Sequence, residues 1–231
     1  MVQVGNALNY PTEEESVNDR LPFPVGSRAH GELVQISRAN TPIPVTMSDF
    51  IWRATVDGRI FISSDADFND AVTGQTTLAN TTPTFLLRVP AGTLAVPLFG
   101  NFVQTGTVAG SDIDFIVEID NVDRWSSAGT IELAYNPSLT NRVNSCELRS
   151  GATAAAGYGI TVVRYDIAAD VSPAEGAIQG PLWKPEIPYL LEGPASLLIY
   201  TNATTTGPTW WWSIGWAEYP TVDFFRLWPR N

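Results

Sequence analysis

Alternation of polar and apolar residues over 112–120 is the feature that most constrains the fold. In Asp112–Asp120 every odd position is apolar, and every even position is polar except Ile116. A period of two places alternate side chains on opposite faces of a β-strand, so one face is buried and the other meets water. Residues 84–89 and 130–135 alternate in a similar way. The pattern predicts an all-β protein.

Turn residues separate these runs and set the number of strands. Asp57-Gly58 lies between 50–56 and 59–63 and predicts a hairpin, because both residues favour tight hairpin turns. Pro90-Ala91-Gly92 divides a further pair of strands. Ten to twelve strands are expected, in an antiparallel sandwich of the jelly-roll type.

Three further segments carry predictions about local structure. Residues 158–167 are β-branched or aromatic on both faces, which favours a central strand. Pro97 lies inside an apolar run, so that strand is expected at an edge or with a bulge. Two spacings suggest short helices: these are Thr12-x-x-Glu15 and the set Leu139, Val143 and Cys146.

The chain is long enough for one large β domain. Residues 1–30 carry several prolines with little alternation, and we expect an extended arm followed by a single β-sandwich domain over 31–231. Residues 222–231 are unusually apolar for a terminus and should dock, either as a last strand of their own sheet or against a neighbour. Phe23, Phe225 and Trp228 are the candidate anchors in these two segments.

Composition narrows the partners. Only 16% of residues are charged while 44% are hydrophobic, so the chain has a large apolar area to bury. A thick core or contacts between subunits would both provide that burial. The formal net charge of −11 and the acidic run Glu13-Glu14-Glu15 argue against direct binding of nucleic acid. No signal peptide or membrane span is expected, and the single Cys146 excludes an intrachain disulfide.

The sequence offers little for catalysis. The single histidine, His30, lies in the predicted arm, and Cys146 has no neighbouring histidine or second cysteine. Cys146 is therefore expected in the core. Gly157-Tyr158-Gly159 lacks the third glycine of a dinucleotide-binding loop. Asp65, Asp67 and Asp70 resemble part of a calcium loop without its glycine and terminal glutamate. We predict no enzyme activity, no cofactor and no metal.

Asp112, Asp114 and Glu118 share one face of the predicted strand. Two carboxylates facing a groove could serve a glycoside hydrolase. Strict alternation with core residues favours a solvated outer face instead.

The run Trp210-Trp211-Trp212-Ser213-Ile214-Gly215-Trp216 has a similar division. The even positions are expected in the core, and Trp211 on the opposite surface beside small residues. There it could be covered by its own chain, contact another subunit or stack on a sugar.

A resemblance adds to this account. Pro83–Thr93, followed by Val96-Pro97-Leu98, resembles structural proteins of bacterial viruses, which carry a similar strand, a Pro-x-Gly-Thr turn and a second Val-Pro-Leu strand. The likeness covers about residues 80–135. It implies a jelly-roll virion protein in a capsid shell, a decoration layer or a vertex. The acidic charge departs from coat proteins that line a genome and favours an outer layer.

We therefore expect a virion structural protein that forms homo-oligomers through arms and aromatic patches. Its partners would be copies of itself and other virion proteins, with no direct contact to nucleic acid, and its location the virion after synthesis in the host cytoplasm. A carbohydrate- or receptor-binding sandwich is the first alternative, although carbohydrate is the less favoured partner. A sandwich glycoside hydrolase is the second alternative.

Overall fold

A computed structural model describes residues 47–65, 71–105, 108, 112–139, 141–168 and 179–227. The chain divides into two compact units, Met1–Arg53 and Ala54–Asn231. Of the first unit only residues 47–53 are described, and they are helical. The predicted arm over 1–30 and its capping box at Thr12 lie outside the described residues.

The described segments form two short helices and fifteen strands. In chain order they are α1 (Met47–Val56), β1 (Ile60–Ser64), β2 (Val72–Thr73), β3 (Phe85–Val89), β4 (Thr93–Gln104), β5 (Asp112–Asp120), β6 (Trp125–Ser127), β7 (Thr130–Ile131), β8 (Ala134–Tyr135), β9 (Glu147–Ser150), β10 (Thr153–Ala154), β11 (Ile160–Ala168), β12 (Gln179–Trp183), β13 (Leu191–Glu192), β14 (Ala195–Asn202), β15 (Thr209–Pro220) and α2 (Thr221–Leu227).

Two antiparallel sheets pack as a sandwich. The first has the order β12-β4-β15-β1-β8, with β13 also paired to β4 and β2 to β15. The second has the order β11-β5-β14-β3-β9-β7. The strands β6 and β10 form a separate two-stranded sheet. The all-β antiparallel sandwich is thus confirmed, and its jelly-roll connectivity stays a prediction.

The core lies between the inner faces of the two sheets. Trp210, Trp212, Ile214 and Trp216 of β15 are all buried there, as their alternation predicts. From the facing sheet, the ring of Phe85 lies 4.8 Å from that of Trp212. Fully burying a large apolar side chain contributes about 1.5–3 kcal/mol, so this aromatic layer adds several such contributions to the stability of the sandwich.

A second, smaller apolar layer covers part of the outer face of the six-stranded sheet. Leu86, Ile116, Leu198 and Tyr200 point outward from β3, β5 and β14 and are buried beneath β6 and β10. Trp125 of β6 completes the cover, with the guanidinium groups of Arg88 and Arg149 each 4.6 Å from its ring. Ile116 breaks the alternation of its strand because its outward-facing side chain is buried in this second apolar layer.

The predicted hairpin at Asp57-Gly58 is wrong. Gly58, with φ 64°, instead ends helix α1. Its N–H donates to the Thr55 carbonyl, and the Arg59 N–H donates to that of Ala54. These two bonds form a Schellman cap, in which a glycine with positive φ satisfies the last carbonyls of a helix. Asp-Gly supplies the same backbone freedom to both structures.

Two strand predictions have opposite outcomes. The prediction of a central strand at residues 158–167 is wrong, because the strand there, β11, is the outermost described strand of the six-stranded sheet. The bulge at Pro97 is confirmed. Opposite Gly215 and Trp216, strand β4 places Phe99 and Pro97, so Leu98 is an extra residue. The bulge lets a proline lie inside a strand that is paired on both sides.

The helix suggested by the spacing of Leu139, Val143 and Cys146 is wrong, and so is the final strand at the terminus, while docking of residues 222–231 against a neighbour stays a prediction. Residues 221–227 form helix α2. Its Phe224 is buried, with its ring 5.4 Å from that of Tyr219. Between Tyr135 and Glu147 the described residues form turns without a helix, and Leu139 and Val143 are exposed while Cys146 is buried. A helical pattern that consists of three apolar residues is too short to distinguish a helix from a folded loop.

Candidate functional site

A half-open cavity of about 330 Å³ lies on the outer face of the six-stranded sheet, beside the cover formed by β6 and β10. Its volume is at the lower end of the range for small-ligand sites. Its walls combine aliphatic, aromatic and carboxylate groups, supplied by Leu78, Ala79, Asn80, Ile116, Glu118, Tyr158 and Tyr200. We call this cavity the Glu118 pocket.

The floor of the pocket comes from two central strands. Ile116 and Glu118 point outward from β5, and Tyr200 points outward from the adjacent β14. All three are buried, whereas Tyr158, just before β11, is 83% exposed. The pocket therefore has a buried carboxylate in its floor and an exposed aromatic ring at its rim.

The burial of Glu118 contradicts the prediction that Asp112, Asp114 and Glu118 form a solvated face. Only 9% of the surface of Glu118 is exposed. One of its oxygens, Oε1, accepts a hydrogen bond of 3.1 Å from the Gly159 N–H. Among the described residues no cation lies within ion-pair distance of Glu118, although a buried carboxylate normally has one. Alternation predicted the outward direction of this side chain, but it could not predict the loops that cover it.

Arg124 holds those covering loops in place. Its guanidinium donates to the carbonyls of Ala155, at 2.9 and 2.6 Å, and of Gly157, at 3.0 Å. It is also paired with Asp120 at 3.0 Å. The Asn80 amide donates to the Gly157 carbonyl as well, at 2.6 Å. These hydrogen bonds join the loop that carries Asn80 to the loop at residues 155–157.

Tyr200 is tied to the same wall. Its hydroxyl donates to the Asn80 carbonyl at 3.0 Å. Burial, and then the nearby negative charge of Glu118, raise the pKa of Tyr200 above its usual value. Its hydroxyl therefore stays protonated near neutral pH and remains a donor to Asn80.

The other two acidic residues of the strand are placed differently. Asp112 is exposed at the start of β5. Asp114 is half-buried, and each of its carboxylate oxygens has a partner. Oδ1 pairs with Arg164 at 2.7 Å, and Oδ2 accepts a hydrogen bond from Asn202 at 3.1 Å. A hydrolase would need two available carboxylates facing one groove. The Glu118 pocket contains one.

Cys146 is buried, as expected from the sequence. Burial raises the pKa of its thiol well above the usual value, with a further contribution from the charge of Glu218. Glu218 accepts hydrogen bonds from the backbone N–H groups of Ser145 and Cys146, and from the Trp216 indole, at 2.7, 2.9 and 2.8 Å. These contacts give Glu218 a role in joining a loop to the core, which alternation alone did not reveal.

The predicted interface residues fall in different parts of the chain. Trp211 lies on the outward face of β15 with 38% of its surface exposed, as predicted. Phe225 is partly exposed on α2 and lies 5.4 Å from the ring of Phe224. Phe23 and Trp228 lie outside the described residues, as does His30. The structure thus places Trp211 and Phe225 on β15 and α2, and their roles as contacts stay predictions.

The described segments contain no group of three or more His, Cys, Asp or Glu side chains able to hold a metal ion. Asp67 and Asp70 of the calcium-like sequence lie in a stretch that is not described. Within the described part of the chain, neither helix has the length and apolar character needed to cross a membrane.

The fold defines the class of the protein as an antiparallel β-sandwich, with a half-open pocket on one outer face. Comparison with known protein families, curated proteins and solved structures finds no match.

Proposed function

We propose that this chain is a virion structural protein, a sandwich subunit that associates with copies of itself through an edge of its sheets. The supporting observation is a group of apolar side chains, each more than half exposed, within residues 131–143. We call it the apolar belt, and it consists of Ile131, Leu133, Tyr135, Leu139 and Val143.

The apolar belt lies where the chain passes from one sheet to the other. Strand β7, at its start, is the outermost strand of the six-stranded sheet, and β8 is the outermost strand of the other. The belt therefore runs along one side of the sandwich. A large exposed apolar patch often marks a contact surface, and the five exposed apolar side chains of the belt all lie within residues 131–143.

Charge favours a second copy as the occupant. At a net charge of −11, two copies repel each other unless they meet through surfaces with little charge. Residues 130–143 contain one acid, Glu132, and one base, Arg142. Glu132 is moreover hydrogen-bonded to the Ser150 hydroxyl at 2.7 Å. This neutral, apolar side is the kind of surface through which an acidic chain can self-associate.

At the opposite edge of the six-stranded sheet, the last of the described strands is β11. Strand β11 spans nine residues and pairs with β5 on one side, and no described strand pairs with its other side. An open strand edge offers unpaired backbone groups to a second chain. A subunit with contact surfaces on two opposite sides can form rings or extended arrays, as a shell requires.

The virion setting of this proposal rests on the sequence likeness over residues 80–135. That segment contains the strands β3 to β8, of which β7 and β8 carry part of the belt. The acidic charge favours an outer layer over one that contacts a genome.

Charged substitutions in the belt test the proposal. In the Leu133→Glu/Leu139→Glu variant, two exposed apolar side chains become acidic, so contacts through the belt would bury two unpaired charges. Static light scattering after size-exclusion chromatography should show an assembly for the unmodified chain and a monomer for the variant.

The matched control is Ile187→Glu/Leu190→Glu, which adds the same charge at two exposed apolar positions outside the belt and outside the segment 222–231. It should assemble like the unmodified chain. If the belt variant keeps the mass of the unmodified chain, the belt is not the contact. If both variants become monomers, added charge alone prevents assembly and the belt has no special role.

A further inference from the structure

We propose that the Glu118 pocket binds a single organic cation, an alkylammonium or guanidinium group on an apolar stem. This inference is independent of self-association. It rests on the carboxylate of Glu118, for which the described residues supply one hydrogen-bond donor, the Gly159 N–H.

The carboxylate has capacity for a ligand. Its Oε1 accepts the Gly159 N–H, and within the described segments Oε2 has no hydrogen-bond partner. Nine-tenths of the Glu118 residue is buried, and a cation is the usual partner of a carboxylate in such a position. Glu118 lines the pocket, so a cation that enters the pocket can reach its carboxylate.

The remaining walls suit the rest of such a ligand. Tyr158 and Tyr200 supply aromatic rings, which attract cations through the negative charge of their faces. Leu78 and Ile116 supply aliphatic surface for a hydrocarbon stem. A cation on a short apolar chain matches both parts of the lining.

A sugar fits less well, because its hydroxyl groups need hydrogen-bond donors as well as acceptors. The Tyr200 hydroxyl donates to the Asn80 carbonyl, and the Asn80 amide donates to that of Gly157. The guanidinium of Arg124 is occupied by carbonyls and by Asp120. The lining thus presents an available acceptor in Glu118 and has most of its donors in use.

Ligand-observed saturation-transfer NMR tests the proposal, and it works for the assembled as well as the monomeric chain. The probes are butylammonium, butylguanidinium, neutral 1-butanol and methyl glucoside. A blocked lysine tripeptide distinguishes a protein side chain from a free amine as the source of the cation. The two cations should show saturation transfer, and 1-butanol should show little.

Glu118→Gln keeps the size of the side chain and an acceptor for the Gly159 N–H, but removes the charge. It should weaken binding of butylammonium by roughly tenfold or more, because hydrogen bonds to charged groups are about twice as strong as neutral ones. Asp112→Asn is the matched control, since it removes one exposed charge from the same face of β5. It should bind like the unmodified chain.

Tyr158→Ala provides a second variant that should not affect folding, because Tyr158 is largely exposed. It should weaken cation binding several-fold through loss of one aromatic wall. Equal binding of butylammonium and 1-butanol, or unchanged binding in both Glu118→Gln and Tyr158→Ala, would overturn the proposal. Binding of methyl glucoside in place of the cations would assign the pocket to carbohydrate instead.

Discussion

At the scale of single residues, Arg124 and Glu118 are two buried charged groups that differ in their partners. Arg124 is 2% exposed, and its guanidinium is satisfied by Asp120 and by loop carbonyls. Glu118, on the strand that leads to it, has one backbone partner. The contacts of Arg124 hold the loops together. The carboxylate of Glu118 can accept a further hydrogen bond from a ligand.

Arg124→Met should destabilise the fold strongly. The substitution leaves Asp120 without its cation and removes the donors to Ala155 and Gly157. Loss of one member of a buried ion pair costs about 3–5 kcal/mol. Arg164→Met is the control, because Arg164 is more than half exposed and its pair with Asp114 should contribute about 1 kcal/mol or less. Urea denaturation gives both free energies of unfolding, and equal losses would contradict this role for Arg124.

At the scale of elements, the pairing of β4 with β15 depends on a close contact between Gly215 and Phe99. Gly215 lies opposite Phe99, next to the bulge at Leu98. A Cβ added at Gly215 would overlap the Phe99 ring. The absence of a side chain at Gly215 therefore lets the ring lie across the strand.

Gly215→Ala should destabilise the protein by about 1–3 kcal/mol, the usual cost of overpacking. The loss should be smaller when Phe99 is replaced by Leu, because the overlapping ring is then absent. A double-mutant cycle from denaturant unfolding measures this coupling. Additive effects of the two substitutions would show that the ring contact is not the cause.

The sequence predicted elements whose patterns are local. Alternation located β5 and the buried face of β15, and Pro97 marked a bulge, because each depends on the strand's own side chains. It could not show that β11 is an edge strand, since a strand's neighbours lie far away in sequence. The pocket was missed for the same reason. Burial of Glu118 depends on loops near residues 78–80 and 155–159, and the outward direction of the side chain was the only local signal.

At the scale of the whole molecule, an acidic chain carries one exposed segment that is apolar and nearly uncharged, the apolar belt. The aromatic core between the sheets satisfies much of the hydrophobic content, but the apolar belt remains exposed. Since copies of a chain with net charge −11 repel each other, salt should promote their association by screening that repulsion. Contacts through the belt should then hold the copies together.

Sedimentation velocity of the unmodified full chain, combined with negative-stain microscopy of the same sample, tests the claim that the chain self-associates into regular assemblies. We expect species several times heavier than the 25.1 kDa chain. Their fraction should rise with protein concentration and with salt, and the images should show particles or arrays of regular size. A single species of monomer mass at every concentration and salt level, with no regular particles, would contradict the claim.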